Sequence, residues 1–211
     1  MPKAKELPLV LASASPRRRE LLARAGVRFE VMPSRVEERG LPGEAPRTLA
    51  LRLACEKALE VARRFPTSPR RLVLGADTIV VLEDTVLGKP VDGEEAFEML
   101  RRLAGRTHRV LTAVAVVATD HPEPKAVCVE STVVMRGAAD AELRAYVATG
   151  EPLDKAGAYA AQGEGRRFVE RIDGSETNVI GLPMKETLAL LRSEETGREK
   201  TAPGRSRETL P

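Results

Sequence analysis

One apolar segment, RLVLGADTIVVLE, constrains the fold of this chain more than any other stretch of its sequence. Its hydrophobic residues run almost unbroken over 72–83, which is typical of a buried strand. Asp77 interrupts the run, and an acid inside a buried strand is costly unless it is paired or binds a metal ion. The segment therefore predicts a sheet core with either a structural ion pair or a functional carboxylate inside it. Gly75, just before, would let another group approach the backbone closely.

Predicted strands and helices alternate along the rest of the chain. The candidate strands are 7–12, 29–33, 72–83, 109–119, 126–135 and 167–172. The candidate helices are 16–25, 46–64, 93–104, 140–149 and 183–192. This order predicts an α/β fold with a mixed sheet. Two of the strands are expected to form a hairpin through a longer loop, DHPEPK.

Residues 1–193 are expected to form a single domain. The last segment, 194–211, has no apolar periodicity and many residues that break regular structure. It is predicted to be a disordered tail.

A cluster of arginines stands where a helix is predicted to begin. Ser15 is a good N-cap residue and Pro16 suits the first helical position. Arg17, Arg18 and Arg19 then fill the first turn, where cations oppose the helix dipole at a cost of about 0.3–1 kcal/mol each. A bound anion such as phosphate would offset that cost. The alternative interpretation is a solvated basic turn.

Two lysines extend this set of charges. Lys57 falls inside the apolar stripe of helix 46–64, so its ammonium either meets a partner or snorkels outward along its stem. Lys89 lies between a glycine and a proline in a turn. Several cations beside a buried carboxylate are suited to handling a triphosphate with a divalent metal ion.

Composition excludes several classes of protein. The chain has 211 residues with 34 basic and 31 acidic side chains, a net charge of +3, and an aromatic share of 3% with no tryptophan. This balance argues against a nucleic-acid coat protein or a base-stacking platform, so no stable nucleic-acid binding is expected. No apolar run is long enough to span a membrane, and the first segment, MPKAKELP, lacks the apolar stretch of a signal peptide, so neither is expected. With only two isolated cysteines, Cys55 and Cys128, a reduced cytoplasmic protein is expected.

Familiar catalytic motifs are missing from the sequence. It contains no GxxxxGK[ST] loop and no GxSxG elbow. His108 and His121 do not form an HExxH pattern. None of these motifs therefore explains the cluster of charges described above.

Six sequence segments together resemble the Maf family of nucleoside triphosphate pyrophosphatases. They are ASASPRR (12–18), EKA (56–58), GADTIV (75–80), GKP (88–90), YVATGEPLDKAGAYAAQG (146–163) and IDGSETNVIGLP (172–183). They occur in register from about residue 7 to 193, nearly the whole chain.

This resemblance implies an enzyme that cleaves a nucleoside triphosphate between the α and β phosphates, yielding a monophosphate and pyrophosphate. Such enzymes clear unwanted nucleotides from the pool and use a divalent cation, Mg²⁺ or Mn²⁺. Their fold is an elongated α/β structure with a mixed sheet, two lobes and a central cleft, similar to inosine triphosphate pyrophosphatases. Many are dimers, so a homodimer is an expectation for this chain.

The resemblance also implies roles for individual residues. Asp77 matches the catalytic acid and a metal ligand, and Glu37, in SRVEE, matches a second carboxylate near the metal. The phosphate-binding matches are Ser13, Arg18, Lys57 and Lys89.

Three further matches concern the base. Arg17, Thr78 and Gln162 resemble the branch of the family that acts on dTTP and UTP. The amide of Gln162 offers both a donor and an acceptor to a pyrimidine edge.

Three other functions remain open from the sequence. A nucleic-acid-binding module is suggested by the isoelectric point of about 9.0 and would show salt-dependent affinity for random oligonucleotides. A non-catalytic nucleotide-binding regulator would lack turnover. A phosphatase or kinase would release orthophosphate or phosphorylate an acceptor.

Overall fold

The computed structural model describes residues 8–196, which form one mixed sheet covered by helices. The seven strands are β1 (Leu9–Leu11), β2 (Phe29–Val31), β3 (Leu72–Leu82), β4 (Thr85–Leu87), β5 (Thr107–Ala118), β6 (His121–Met135) and β7 (Val169–Asp173). The helices are α1 (Pro16–Arg24), α2 (Pro46–Ala62), α3 (Gly93–Leu103), α4 (Asp140–Val147), α5 (Glu176–Ile180) and α6 (Met184–Thr196). Three short 3₁₀ helices cover Glu151–Asp154, Ala156–Ala158 and Gly163–Phe168.

The sheet order leaves one stretch of β3 with a free edge. The strands run in the order β2-β1-β3-β5-β6-β7, with β1 parallel to both of its neighbours and the remaining pairs antiparallel. Strand β1 pairs with β3 only as far as Leu74, and β4 pairs with it only from Val80 onward. Because β5 occupies the opposite edge, residues 75–79 have no strand neighbour on this side. This unpaired edge of β3, next to the carboxyl end of β1, forms one wall of a cleft.

Side-chain alternation along β3 divides its residues between the two faces of the sheet. Val73 and Val81 pack in the core beneath α2. Leu72 and Leu74 pack in the opposite core with residues of α1 and α6. A third core joins α3 and α4 to the far end of the sheet. Asp77 is in phase with Val73 and therefore faces α2.

The predicted α/β class and mixed sheet are confirmed. All predicted strands and helices are present, with bounds that differ by a few residues. The short elements β4 and α5 and the 3₁₀ helices have no counterpart among the predicted elements, because their segments carry too little periodicity to be recognised. Gly26 follows α1 with a φ of 72°, and Asp92 caps α3 by accepting from Glu95 N at 2.9 Å.

The expected loop at residues 120–125 is wrong. Strand β6 begins at His121, which pairs with Ala118, so only two residues form the turn. Pro122 and Pro124 are tolerated there because the pairing with β5 is irregular between Val116 and Ala118, and β7 joins β6 only from Thr132.

The boundary of the predicted tail is also wrong. Helix α6 continues to Thr196. Glu194 is buried near its end, where its carboxylate pairs with Arg70 at 2.9 Å and Lys125 at 2.7 Å. Residues 197–211, the rest of the predicted tail, lie outside the described residues. Within 8–196, no helix is both long enough and apolar enough to cross a membrane.

Gly75 sets the distance between α2 and β3. A Cβ atom at this position would lie 2.3 Å from the carbonyl oxygen of Ala54 and 2.7 Å from the amide nitrogen of Ala58. Both are backbone atoms of α2, so no side-chain rotation relieves the clash. The prediction that a group approaches the backbone closely at Gly75 is confirmed, and the group is a helix.

We expect Gly75→Ala to lower the free energy of unfolding by about 3 kcal/mol or more, since overpacking here must displace a helix. Gly88→Ala is the matched control, because its Cβ would meet no atom within 4 Å. Urea unfolding of both variants measures the difference. Equal stability of the two variants would contradict the packing argument.

Candidate active site

A cleft of about 360 Å³ opens at the free edge of β3. Every residue predicted to act in catalysis or to bind substrate lines it: Ser13, Arg17, Arg18, Lys57, Asp77, Thr78, Lys89 and Gln162. They come from the β1–α1 turn, α2, β3, the turn after β4 and the segment before the third 3₁₀ helix. The structure thus brings together side chains that are distant in the sequence.

Lys57 lies at the centre of a cluster of charges. Its Nζ donates to Asp77 Oδ1 and to Glu38 Oε1, each at 2.6 Å. The side chains of Lys57 and Asp77 are only 7% and 6% exposed. Lys89 Nζ donates to the other oxygen of Glu38 at 2.8 Å. Lys57 therefore points inward and the snorkelling alternative is wrong, while Asp77 is ion-paired inside the cleft.

The two lysines control the ionisation of Glu38. Burial alone would raise the pKa of this carboxyl, but the charges and hydrogen bonds of Lys57 and Lys89 outweigh it and lower the pKa to about 2. Glu38 is therefore ionised at neutral pH and contributes negative charge to the cleft.

Glu37, the predicted second carboxylate, does not reach the cleft. Its side chain is 74% exposed and pairs with Arg39 at 3.2 Å. Its neighbour Glu38 faces Lys57 instead. Adjacent side chains point in opposite directions here, so only one of the two glutamates can enter the cleft. The structure therefore favours Glu38 over Glu37 as the second carboxylate.

The loop between β2 and α2, residues 32–45, is fastened to α2 near both of its ends. Ser34 Oγ donates to Glu60 at 3.0 Å. Arg52 donates to both carboxylate oxygens of Glu44 at 2.7 Å each. The polar face of α2 thus holds in place the loop that carries the cleft glutamate.

Arg18 connects α1 to the rest of the cleft wall. Its guanidinium donates to Gly181 O at 2.8 Å, to Ser13 Oγ and Ala76 O at 3.0 Å each, and to Thr78 Oγ1 at 3.1 Å. These bonds use four of its five N–H groups, so within residues 8–196 one N–H of Nη2 is left for a ligand. Ala76 O is free to accept because the edge of β3 has no strand partner at this point.

Thr78 extends this network into the sheet. Its hydroxyl lies 3.0 Å from that of Thr112, which donates to Asn178 O at 2.8 Å. Since Thr112 gives its proton to Asn178, the hydroxyl of Thr78 donates to Thr112 while it accepts from Arg18. Asn178 is fully buried and also accepts from Thr112 N at 3.1 Å. The position of Thr78 is therefore fixed from two sides.

Arg17 and Gln162 are less constrained. The Nε of Arg17 is buried yet has no hydrogen-bond partner among the described residues. A buried donor without a partner costs about 1–3 kcal/mol, which a ligand acceptor would offset. Gln162 is half-buried at the cleft wall.

Sequence reasoning missed several cleft residues besides Glu38. They are Asp154, Lys155 and Tyr159. Lys155 donates to the carboxylate of Asp154 and to the carbonyl of Glu151. These residues lie in irregular and 3₁₀ structure, where no periodicity marks a side chain as facing inward.

Tyr159 is joined to a histidine behind the cleft. Its hydroxyl lies 2.7 Å from His108 Nε2. Burial lowers the pKa of His108 to about 4, so its ring is neutral at pH 7. The pair supports the cleft wall without adding charge to it.

Two carboxylates of the cleft have the chemistry of ligands for a divalent metal ion. No group of three or more His, Cys, Asp or Glu side chains within residues 8–196 is placed to hold a metal. Asp77 and Glu38, however, converge on one ammonium nitrogen. Mg²⁺ is commonly bound by one or two carboxylates together with substrate phosphates, and these two residues match that donor set.

We expect Lys57→Met to lower the free energy of unfolding by about 3–5 kcal/mol, since it leaves the buried carboxylate of Asp77 without its counterion. Adding Asp77→Asn should restore part of this loss, because a neutral amide needs no counterion. Urea unfolding measures both variants.

Arg64→Met is the matched control on the same helix. It removes a partly exposed pair with Glu60, which is expected to contribute less than about 1 kcal/mol. Strictly additive losses for Lys57→Met and Asp77→Asn would contradict a coupled pair.

Comparison with known proteins identifies the family of this chain. A family model described as "Maf-like protein" matches residues 8–194. A dTTP/UTP pyrophosphatase of Anaeromyxobacter dehalogenans is 54% identical over 87% of this chain and 92% of its own length. One from Geobacter sulfurreducens is 51% identical over 87% and 95%, and one from Shigella dysenteriae is 49% identical over 91% and 95%.

Among solved structures, a dITP/XTP pyrophosphatase from Mycobacterium abscessus aligns with a TM-score of 0.42 and 13% identity, covering 93% of this chain and 98% of its own. The family itself is established by the sequence matches, which span nearly all of the described residues. The chain belongs to the Maf family.

Proposed function

We propose that this protein hydrolyses nucleoside triphosphates to the monophosphate and pyrophosphate, with dTTP and UTP as preferred substrates. The observation that carries the proposal is the convergence of Lys57, Lys89 and Arg18 with two carboxylates in one cleft. The names of the curated relatives support the choice of substrates. Removal of such nucleotides from the cellular pool is the role we propose for it.

The phosphate chain would lie along the free edge of β3. Lys57 and Lys89 stand on the side of α2, and the free N–H of Arg18 stands on the side of α1. These cations would take up the charge that develops on the phosphate oxygens as the α–β bond breaks. Because most of their contacts exist before any ligand binds, little reorganisation is needed during reaction.

Asp77 is the group best placed to orient the attacking water. Its carboxylate is buried and held on one oxygen by Lys57. Its other oxygen makes no hydrogen bond within the described chain, and it would accept a proton of a water directed at the α phosphorus. A divalent metal ion held by Asp77 and Glu38 would supply a Lewis acid that polarises the phosphate oxygens.

The base would lie toward Arg17 and Gln162. Arg17 has a buried donor with no partner in residues 8–196, which suits a carbonyl or phosphate oxygen of the ligand. The Gln162 amide would pair with the O4 and N3–H edge of uracil or thymine, and it would be mismatched against the amino group of cytosine.

Several expectations remain part of this proposal. The metal would be Mg²⁺ or Mn²⁺, and the enzyme would act as a homodimer without stable nucleic-acid binding. Cys55 and Cys128 are both free thiols, which supports a reducing compartment such as the cytoplasm.

The alternatives differ in product. A phosphatase would release orthophosphate and a kinase would phosphorylate an acceptor, whereas a regulator that only binds nucleotides would give no turnover. Binding a nucleotide requires cations, but it does not require a carboxylate beside them. The presence of both in the cleft therefore favours an enzyme.

We expect pyrophosphate as the product, with kcat/KM for dTTP and UTP about tenfold or more above that for CTP, ATP, GTP and 7-methyl-GTP, since unpaired buried polar groups penalise the wrong base. Gln162→Glu should erode the preference, because a carboxylate cannot donate to O4. Asp77→Asn is the inactive control. Orthophosphate as the first product would overturn the proposal, and equal rates on UTP and GTP would overturn the base assignment alone.

We expect Glu38→Gln to raise the Mg²⁺ or Mn²⁺ concentration needed for half-maximal activity about tenfold, as loss of one carboxylate ligand should. Glu37→Gln is the matched control and should behave as wild type, because its side chain faces solvent. Electron paramagnetic resonance of Mn²⁺ with a non-hydrolysable triphosphate gives the affinity directly. A stronger effect in Glu37→Gln would reassign the ligand.

A further inference from the structure

The position of the Gln162 side chain is set by the backbone that carries it. Among the described residues, no group hydrogen-bonds its side-chain amide, although the residue is half-buried in the cleft wall. A side chain intended to discriminate between bases by hydrogen bonds must be held accurately. The contacts that hold this one must therefore act on the chain just before and just after it.

Two side chains make those contacts. After Gln162, the carboxylate of Glu151 accepts from Glu164 N at 3.2 Å and from Gly165 N at 2.9 Å. Before it, the hydroxyl of Tyr146 accepts from Ala160 N at 3.1 Å.

Tyr146 and Glu151 meet at the same glycine. The N–H of Gly165 donates to the carboxylate of Glu151, and the hydroxyl of Tyr146 packs against the same residue. The ring of Tyr146 is fully buried against Phe168, at a centroid distance of 5.2 Å. We call Tyr146 and Glu151 together the latch. It holds the chain on both sides of Gln162 against the end of α4 and the 3₁₀ helix that follows it.

Two glycines make room for the latch. A Cβ at Gly163 would lie 2.2 Å from Glu151 Oε1, and the φ of Gly163 is 77°. A Cβ at Gly165 would lie 2.4 Å from the hydroxyl of Tyr146. Side chains at either position would force the carboxylate or the ring away, so these residues permit an approach that other residues would block.

The latch itself does not touch the cleft. Neither Glu151 nor Tyr146 is among the residues that line it. Burial would raise the pKa of Glu151, but the nearby hydroxyl of Tyr146 and the backbone N–H groups of Gly165 and Glu164 outweigh it and lower the pKa. The carboxylate thus stays ionised at neutral pH and keeps accepting from both N–H groups.

We propose that Glu151, together with Tyr146, is a positioning residue for base selection, acting through the backbone of Gln162. This inference rests on the proposed preference for dTTP and UTP. It assigns discrimination between uracil and cytosine to a carboxylate that never contacts the nucleotide. Phosphate handling by Lys57 and Asp77 is independent of it.

The test is kcat/KM for UTP and for CTP in wild type and in Glu151→Ala. We expect the ratio of UTP to CTP to fall about tenfold in the variant, the effect of one lost discriminating hydrogen bond. The fall should come from a higher KM for UTP, with the values for CTP nearly unchanged. Glu151→Gln keeps one acceptor oxygen and should restore part of the ratio.

Glu164→Gln is the matched control. It lies on the third 3₁₀ helix, Gly163–Phe168, its side chain is 58% exposed, and the variant keeps the backbone N–H that the latch uses. Its ratio should equal that of wild type. Tyr146→Phe removes the hydroxyl and should lower the ratio as Glu151→Ala does. If Glu151→Ala fails to fold in thermal melts, Glu151→Gln and Tyr146→Phe carry the test.

The outcomes separate this inference from the proposed function. Equal losses for UTP and CTP in the latch variants, or the same fall in Glu164→Gln, would overturn the latch and leave the proposed function standing. A wild-type enzyme with no preference for UTP over CTP would overturn the base assignment and the latch together.

Discussion

The buried pair of Lys57 and Asp77 is the interaction on which the rest of this structure depends. Each charge alone would be prohibitive at its place in the core, since removing one partner of such a pair costs about 3–5 kcal/mol. Their nitrogen and oxygen meet at 2.6 Å because α2 lies directly against β3, and it can do so only where Gly75 lacks a side chain. The close packing of α2 on β3 therefore also fixes the distance between the two charges.

Arg18 likewise combines a structural role with a place in the cleft. Its guanidinium donates four N–H groups to the protein, and these bonds fix the direction of the remaining N–H. The acceptor Ala76 O exists because β1 ends early and β4 begins late along the edge of β3. A gap in strand pairing, which would be a liability elsewhere, is here filled by a side chain and by the cleft.

What the sequence predicted follows from periodicity. Lys57 and Asp77 were visible because each breaks a regular apolar pattern, and the sheet class followed from long strands between helices. Glu38 and Glu37 sit in a loop with no period, so nothing in the chain marks which of them faces inward. The short elements were not predicted because they too lack a regular period. The role of the latch carboxylate Glu151 was not predicted because it arises from contacts between segments that are distant in the sequence.

The two ends of the cleft are built differently, and this has consequences for specificity. The proposed phosphate end, with Lys57 and Asp77, rests on β3, α1 and α2, whose side chains are fixed by regular hydrogen bonding and by the cores on either face of the sheet. The end that carries Gln162, where we propose that the base binds, rests on 3₁₀ turns that hold their shape through the carboxylate of Glu151 and two glycines. Substitutions at the base end can move Gln162 without disturbing Lys57 or Asp77. Under the proposed roles, a change around Gln162 alters the choice of base while the reaction is kept, because Gln162 and the Lys57–Asp77 pair are held by separate sets of contacts.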